Sequence, residues 1–213
     1  IDQGYTAVKL KVGHHTLEEE VKRVRATREA IGDAMLMLDM NACYDLNECI
    51  RFAKAVEPFN LTWLEEPLHW YLQPADFAKL AESTSIPIAH GERLFDRFTA
   101  RDFIENGGIK FIQFDSTRHS GFTEHLRIAH MAEQNGIFIA PHLAPEMHGH
   151  LVSAFPRAGF IAESHGDSDR NPLWHGGLFA KKAEIKDGYL HLNESAGFGY
   201  DIDWNFVAKY RVN

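Results

Sequence analysis

Short apolar runs recur along the chain, and most of them are continuous rather than alternating in polarity. Seven of these runs predict strands, at residues 7–12, 35–39, 61–65, 86–90, 110–115, 137–142 and 159–163. Continuous apolar strands are typical of parallel sheets that helices cover from outside. The pattern therefore predicts an α/β protein built on a parallel sheet.

Helical patterns with recognisable start signals lie between these runs. Five residues are predicted to begin or cap the helices: Thr16, Asp45, Pro74, Thr99 and Thr123. Thr16 and Asp45 are each followed by a glutamate at the spacing of a capping box, and proline suits a first helical turn. Strands that alternate with helices in this way are typical of βα units.

A residue capable of acid–base or metal chemistry stands at the end of each apolar run. These residues are Lys11, Asp39, Glu65, Glu92, Asp115, His142 and Glu163, separated by gaps of 28, 26, 27, 23, 27 and 21 residues. One strand, one helix and two loops fill about that length. A parallel barrel carries its active site at the carboxyl ends of its strands, so the spacing indicates a TIM-type barrel enzyme.

The number of strands bears on the domain organisation. A closed barrel of this type has eight strands, whereas the pattern supplies seven. The chain begins at Ile1, without a methionine, and runs directly into a strand, so we expect one further strand upstream. We predict a barrel domain over residues 1–177 (strands 2 to 8) and a C-terminal return segment over 178–213, with a hairpin around Asp187-Gly188.

Composition narrows the choice of partners and compartment. The net charge is −8 and no five like charges are consecutive, which argues against nucleic acid and anionic membranes as partners. No apolar stretch reaches the about 18 residues that a membrane span needs. The two cysteines, Cys43 and Cys49, form no disulfide or metal pattern, so a reducing cytoplasm is expected.

Two lysines share one face of the first strand. Lys9 and Lys11 are two residues apart, so both are predicted to point into the barrel. Mutual repulsion and burial would lower their pKa values, and one of them could then act as a neutral base near pH 7. A solvated basic strand is the alternative, which the apolar residues at positions 8, 10 and 12 disfavour.

Three acids, Asp39, Glu65 and Glu92, end three consecutive strands. Any one of them alone is more often a surface carboxylate, but three converging in a barrel need a cation. Oxygen ligands favour Mg²⁺, with Mn²⁺ as a substitute. Asn41 shares the face of Asp39 and is a candidate for contact with the substrate.

Asp115 and His142 end the next two strands. A carboxylate on one imidazole nitrogen fixes the tautomer and leaves the other nitrogen free for proton transfer, although a packed core histidine is a serious alternative.

Glu163 could bind a substrate carboxylate if protonated, or remain ionised beside a lysine. Arg118 is placed to contact substrate or to be a solvated loop residue, and His148 and His150 are expected on a helix surface.

Taken together, the motifs resemble the enolase superfamily, and within it the mandelate racemase subgroup. The matching segments are Lys9-Leu10-Lys11, Asp39-Met40-Asn41, Trp63-Leu64-Glu65-Glu66-Pro67, Gly91-Glu92, Asp115, Pro141-His142-Leu143 and Glu163. The resemblance implies a modified (β/α)7β barrel whose first strand and N-terminal α+β capping domain are not in this chain. It also implies a homo-oligomer and a small-molecule carboxylate substrate.

The same resemblance implies a role for each site residue. The Mg²⁺ ligands would be Asp39, Glu65 and Glu92. The proton carriers on opposite faces of the substrate would be Lys11 and His142, the latter paired with Asp115. Lys9 and Glu163 would lie near the substrate carboxylate. One segment departs from the family, since many relatives have Gly-Gly after the sixth barrel strand, whereas this chain has Arg118-His119-Ser120-Gly121. That loop contacts substrate in relatives, so the substrate stays open.

The expected chemistry is abstraction of the proton α to a carboxylate, giving an enediolate. Expulsion of the β-hydroxyl would make the protein an acid-sugar dehydratase that releases a 2-keto-3-deoxy acid, which is our first hypothesis. Reprotonation from the other face would make it a racemase or epimerase. A catalytically idle ligand-binding barrel and a metal-dependent aldolase are the remaining alternatives.

Overall fold

The computed structural model describes residues 4–164 and 178–212. Its main sheet has six parallel strands in sequence order, β1–β2–β3–β4–β5–β6. These strands are β1 (Ala7–Lys11), β2 (Met35–Asp39), β3 (Leu61–Glu65), β4 (Ile88–His90), β5 (Phe111–Ile112) and β6 (Phe138–Ile139). The parallel α/β architecture predicted from the apolar runs is therefore confirmed.

A helix follows each strand. These helices are α1 (Leu17–Ile31), α2 (Leu46–Val56), α3 (Pro74–Ser83), α4 (Arg97–Asn106), α5 (Gly121–Gln134) and α6 (Pro145–Ala154), with a 3₁₀ turn at Glu57–Phe59 after α2. Thr16 and Asp45 both form the capping boxes that their sequence spacing predicts. Every helix within the two described ranges is too short or too polar to cross a bilayer.

Alternate residues of the strands face opposite sides of the sheet. Leu36 and Leu38 of β2 pack with buried residues of α1 and α2, whereas Met37 joins Trp63 and Phe111 in a cluster on the other face. Lys9 pairs in register with Met37, and Lys11 with Asp39. The period of two along a strand thus puts the lysines and the first acids on the inner face, as the sequence predicts.

The seventh apolar run is not a strand. Residues 159–163 lie beside β6 but form a single bridge, between Ile139 and Gly159. The amide of Ile139 donates to the carbonyl of Ala158, and the amide of Phe160 donates back to Ile139. Beyond this point the segment lines a cavity instead of continuing the ladder, so the expectation of a regular seventh strand is wrong.

Two of the predicted helix caps are also wrong. Helix α4 is capped by Asp96, which accepts hydrogen bonds from the amides of Phe98 and Thr99. Helix α5 begins at Gly121, after Ser120, so that Thr123 lies inside its first turn. In both cases the helix starts before the threonine that the sequence suggests.

The C-terminal segment packs against the barrel helices. Its hairpin pairs β7 (Glu184–Lys186) with β8 (Tyr189–His191), and Asp187 and Gly188 both adopt positive φ, as a tight two-residue turn requires. Leu190 lies so close to Gly149 of α6 that a Cβ on this glycine would come within 2.5 Å of the leucine side chain. Helix α7 (Trp204–Lys209) follows the hairpin. Residues 165–177, where the expected domain boundary falls, lie outside the described residues, so the division into two domains stays a prediction.

The cap of α4 gives a direct stability test. Replacing Asp96 with alanine removes the acceptor of two amide hydrogen bonds, of 2.8 and 2.9 Å, and we expect the free energy of unfolding to fall by about 1 kcal/mol. The matched variant Thr99→Ala should change it by less than about 0.5 kcal/mol. Urea denaturation of both variants measures the difference, and equal losses would contradict the assignment of the cap.

Candidate active site

Lys9 stands at the centre of a buried charge cluster at the carboxyl end of the sheet. Its Nζ lies 2.6 Å from Glu65 Oε1, 2.6 Å from Glu163 Oε1 and 3.7 Å from Asp39 Oδ2. Asp39 and Glu65 have 0% and 1% of their side-chain surface exposed. One ammonium therefore contacts two carboxylates that solvent hardly reaches and a third, Glu163, that is partly exposed.

Burial lowers the pKa of Lys9, but the charges of Glu65, Glu163 and Asp39 outweigh it and hold this pKa above its ordinary value. Lys9 is thus a firmly protonated cation. The argument that lysine–lysine repulsion loosens the proton is wrong for Lys9, because carboxylates and not the second lysine are its immediate neighbours.

Lys11 occupies a different environment on the same strand. Its side chain is half exposed, its Nζ contacts Asp39, and it donates to Asn41 Oδ1 at 2.8 Å. The amide of Asn41 in turn donates to Asp39 Oδ1 at 2.9 Å. The structure therefore brings Lys11, Asp39 and Asn41 together, and of the two lysines Lys11 is the one open to solvent.

Glu65 is held on its other oxygen by two neutral donors. Trp63 Nε1 and Gln113 Nε2 donate to Glu65 Oε2 at 3.1 and 2.9 Å. Burial raises the pKa of Glu65; Lys9 opposes this shift, while Asp39 and Glu163 add to it. Sequence reasoning missed Gln113, although its place two residues before Asp115 puts it on the same strand face.

A second cluster joins the loops after β4, β5 and β6. Arg118 Nη1 donates to Glu92 Oε1 at 2.9 Å, and Arg118 Nε lies 3.4 Å from Asp115 Oδ2. His142 Nδ1 lies 2.8 Å from the same Asp115 oxygen, and its Nε2 lies 3.3 Å from Glu92 Oε2. The predicted pairing of Asp115 with His142 is present in this geometry, and Arg118 contacts acids rather than open solvent.

Asp115 is ionised in this arrangement. Burial raises the pKa of Asp115, but hydrogen bonds from His142 and Thr117 hold it well below its usual range. An ionised carboxylate can only accept, so Nδ1 of His142 carries the proton that it shares with Asp115. The second ring nitrogen of His142 is therefore the one available for proton transfer.

Glu163 completes the first cluster and connects it to the second. Burial raises its pKa, but Lys9 and His142 together with the amide of Leu143 hold the pKa of Glu163 below its ordinary value. That amide donates to Glu163 Oε2 at 3.0 Å. Of the two states that the sequence left open, the ionised one beside a lysine fits this environment.

The three acids expected to bind a metal end neighbouring strands but do not surround one point. Asp39 pairs in register with Glu65, yet both contact Lys9, while Glu92 contacts Arg118. Across residues 4–164 and 178–212, no three His, Cys, Asp or Glu side chains form a ready metal cluster. The donor chemistry still fits a hard divalent ion, because all three are buried carboxylates. Glu92 Oε2, although 3.3 Å from His142 Nε2, accepts no hydrogen bond in the described part of the chain.

A cavity of about 300 Å³ opens between β1 and residues 159–164. Its lining includes Lys9, Lys11, Gln113 and Glu163, together with apolar residues of both elements. The lining therefore offers two ammonium groups and one carboxylate to a ligand. In the loop that follows β5, Ser120 and Gly121 both have positive φ, a backbone region that glycine adopts readily.

Glu66 supports the loop that carries Glu92. It is completely buried, and its Oε1 accepts from the amides of Gly91 and Glu92 at 2.8 and 3.3 Å. His90 packs between Phe77 and Phe103 and places Nδ1 3.0 Å from the same oxygen. Glu66 and His90 thus hold the backbone that leads to Glu92.

His148 is completely buried, so the expectation that it lies on a helix surface is wrong. Its Nδ1 contacts the carbonyl of Leu143 at 2.7 Å, and its Nε2 contacts Ser116. His150 is only partly buried and contacts the carbonyl of Phe198. The expectation of a surface position rests on helical spacing alone. Spacing does not show which side of α6 faces the loops that carry Ser116 and Leu143.

Comparison with known proteins identifies the family. The chain belongs to the enolase C-terminal domain-like family, whose sequence model matches residues 1–206. The barrel fold expected from the resemblance to the mandelate racemase subgroup is thereby confirmed.

Three relatives illustrate the similarity. The chain is 34% identical over 202 residues to L-talarate/galactarate dehydratase of Salmonella typhimurium strain LT2, covering 94% of this chain and 48% of that protein. L-Talarate dehydratase from Polaromonas sp. JS666, solved with Mg and L-glucarate, superposes with a TM-score of 0.87 at 35% identity, covering 97% and 56%. A mandelate racemase/muconate lactonizing enzyme from a marine actinobacterium, solved with magnesium, gives a TM-score of 0.88 at 29% identity, covering 100% and 59%. The chain thus spans about half the length of these relatives.

The buried Glu66 predicts a pH-dependent stability difference. Although burial raises the pKa of Glu66, His90 and the amides of Gly91 and Glu92 bring it below the ordinary value of 4.5. A carboxyl with a lowered folded-state pKa stabilises above its unfolded pKa, and loses this contribution as pH falls through the folded value. Glu66→Gln should therefore lower the free energy of unfolding by about 1–3 kcal/mol at pH 7, and by less at pH 4. Urea denaturation at both values measures this, with the exposed Glu82→Gln as control; a difference that widens on acidification would contradict it.

Proposed function

We propose that the protein abstracts the proton α to the carboxylate of an acid sugar and expels the β-hydroxyl, releasing a 2-keto-3-deoxy acid. The observation that carries this proposal is the placement of two proton carriers, Lys11 and His142, around buried acids at the carboxyl end of one sheet. Similarity to two enzymes described as talarate dehydratases supports the substrate class.

Mg²⁺ is the proposed cofactor, with Mn²⁺ as a substitute, and Asp39, Glu65 and Glu92 would hold it. When bound, a divalent ion would withdraw charge from the substrate carboxylate and so make the neighbouring proton more acidic. The chain itself needs positive charge here, because Lys9 contacts two buried carboxylates, Asp39 and Glu65, and the partly exposed Glu163. The magnesium in two similar solved structures supports the choice of ion.

The chain's own residues would bind the substrate carboxylate, remove the α-proton and protonate the leaving hydroxyl. The Lys9 ammonium would attract the substrate carboxylate by its positive charge, and it would do so without gaining or losing a proton. Lys11, which is open to solvent, would take the α-proton on one side. His142 would carry a second proton on Nε2, with Nδ1 engaged by Asp115, and would give that proton to the departing hydroxyl, which leaves as water.

Racemisation or epimerisation is the second candidate. It would use the same two carriers, since a proton removed by Lys11 could be replaced from the opposite face by His142. Dehydration ranks first because the two talarate dehydratases are similar over almost the whole of this chain. A homo-oligomer and a cytoplasmic location also remain proposals, the second resting on cysteine usage alone.

A panel of aldonic and aldaric acids, assayed with the full-length protein and Mg²⁺ in deuterated water, tests the reaction class. We expect a 2-keto acid to form from at least one acid sugar. Exchange of the α-proton without keto-acid formation would transfer the assignment to racemisation or epimerisation. Mg²⁺ binding without any exchange across the panel would support the idle barrel instead.

Removing either proton carrier should stop turnover. We expect Lys11→Ala and His142→Asn each to lower kcat by at least about 100-fold, the range typical for loss of acid–base catalysis, with Mg²⁺ affinity nearly unchanged. Lys54→Ala on α2 and His191→Asn on β8 replace the same residue types at exposed positions and should retain full activity. Wild-type turnover in either site variant would remove its acid–base role.

Metal affinity tests the three acids separately from catalysis. Asp39→Asn, Glu65→Gln and Glu92→Gln each remove one charged ligand, and we expect each to weaken Mg²⁺ binding by about tenfold or more. Isothermal titration with Mg²⁺ alone measures this without substrate. The exposed Glu82→Gln is the control, and a ligand variant that binds as tightly as wild type would lose its metal assignment.

A further inference from the structure

His148 connects the two loops that carry Asp115 and His142. It lies on α6 with no exposed surface. Its Nδ1 is 2.7 Å from the carbonyl oxygen of Leu143, and its Nε2 is 3.1 Å from the amide nitrogen of Ser116 and 2.7 Å from Ser116 Oγ. Each contact is made to the residue that directly follows one member of the acid–base pair.

The partners fix the protonation of the ring. A backbone amide can only donate, so Nε2 of His148 accepts from Ser116. A carbonyl can only accept, so Nδ1 carries the proton and donates to Leu143. Burial lowers the pKa of His148, which agrees with a neutral ring. A neutral imidazole with one donor and one acceptor satisfies both loops at once.

The loop after His142 has a strained backbone that needs hydrogen bonds to hold it in place. Leu143 and Ala144 both have positive φ, 55° and 45°, a region that residues with a Cβ rarely occupy. The amide of Leu143 donates to Glu163 and its carbonyl accepts from His148. The peptide groups of Leu143 are thus held on both sides, and His142 is the residue immediately before them.

We propose that His148 is a positioning residue for the Asp115–His142 pair, and that its neutral ring sets the distance between the two loops. This inference rests on the proposed function for its effect on turnover. The ring of His148 bonds to the backbone around His142 and to Ser116, so its influence passes through the backbone of His142 and Leu143 and through Ser116. Loss of the ring should let the 2.8 Å contact between His142 Nδ1 and Asp115 Oδ2 loosen.

Three variants of the full chain separate the two hydrogen bonds. His148→Asn keeps a donor near the position of Nδ1, His148→Gln keeps an acceptor near the position of Nε2, and His148→Leu removes both groups with little change in volume. His150→Gln, two residues along α6, is the control because its ring contacts Phe198 instead. Circular dichroism and thermal unfolding report whether each variant folds.

Two readouts detect positioning rather than mere stability. The first is the Nδ1–H resonance of His142 in ¹⁵N-resolved proton spectra, which reports its hydrogen bond to Asp115 without any substrate. The second is the steady-state rate on an acid sugar with Mg²⁺. We expect His148→Leu to shift or remove the resonance and to lower kcat by about 10–100-fold, as loss of an orienting partner does, with KM changed by less than about threefold. His148→Asn and His148→Gln should fall between it and wild type.

The outcomes separate the inference from the proposed function. A folded His148→Leu variant with an unchanged His142 resonance would overturn the inference. If that variant does not fold, the other two decide, and wild-type resonance and kcat in both would overturn it as well. If wild-type protein turns over no acid sugar, the proposed function fails, while the resonance still tests the role of His148.

Discussion

The structure depends on how buried negative charge is compensated at the carboxyl end of the sheet. Asp39, Glu65 and Glu163 are drawn into a region with little solvent, where an unpaired ionised group costs several kcal/mol. Lys9 contacts all three, and Gln113 satisfies a further oxygen of Glu65. Lys11, which is half exposed, adds a second ammonium at Asp39. The cluster still has three acids against two ammonium groups, and this excess is the physical reason to expect a metal ion.

The second cluster, around Asp115 and His142, holds the histidine in one tautomer. Asp115 is kept ionised by its hydrogen bonds, and it fixes the proton of His142 on the nitrogen that points away from Glu92. The proposed proton carriers of the two clusters, Lys11 and His142, differ in exposure and in the element that carries them. Lys11 is half exposed on a strand, whereas His142 is buried in a loop whose backbone requires left-handed conformations.

The sequence predicted best what depends on local pattern. Strands β2 and β3 have their predicted bounds, and the lysines share a face, because a period of two along an apolar run decides both. The cap of α4 was misassigned to Thr99 because two polar residues competed, and only the backbone shows that Asp96 receives the amides. The seventh strand and the burial of His148 depend on contacts between distant segments, which no local pattern carries.

A crystal structure of the full-length protein soaked with Mn²⁺ would show whether the three acids hold a cation, since anomalous scattering locates this ion without regard to activity. The charge argument predicts a single strong peak within about 2.0–2.4 Å of carboxylate oxygens of Asp39, Glu65 and Glu92, with the Lys9 and Arg118 contacts to those oxygens rearranged. No peak there at saturating Mn²⁺, with Lys9 still bridging the acids, would contradict the account.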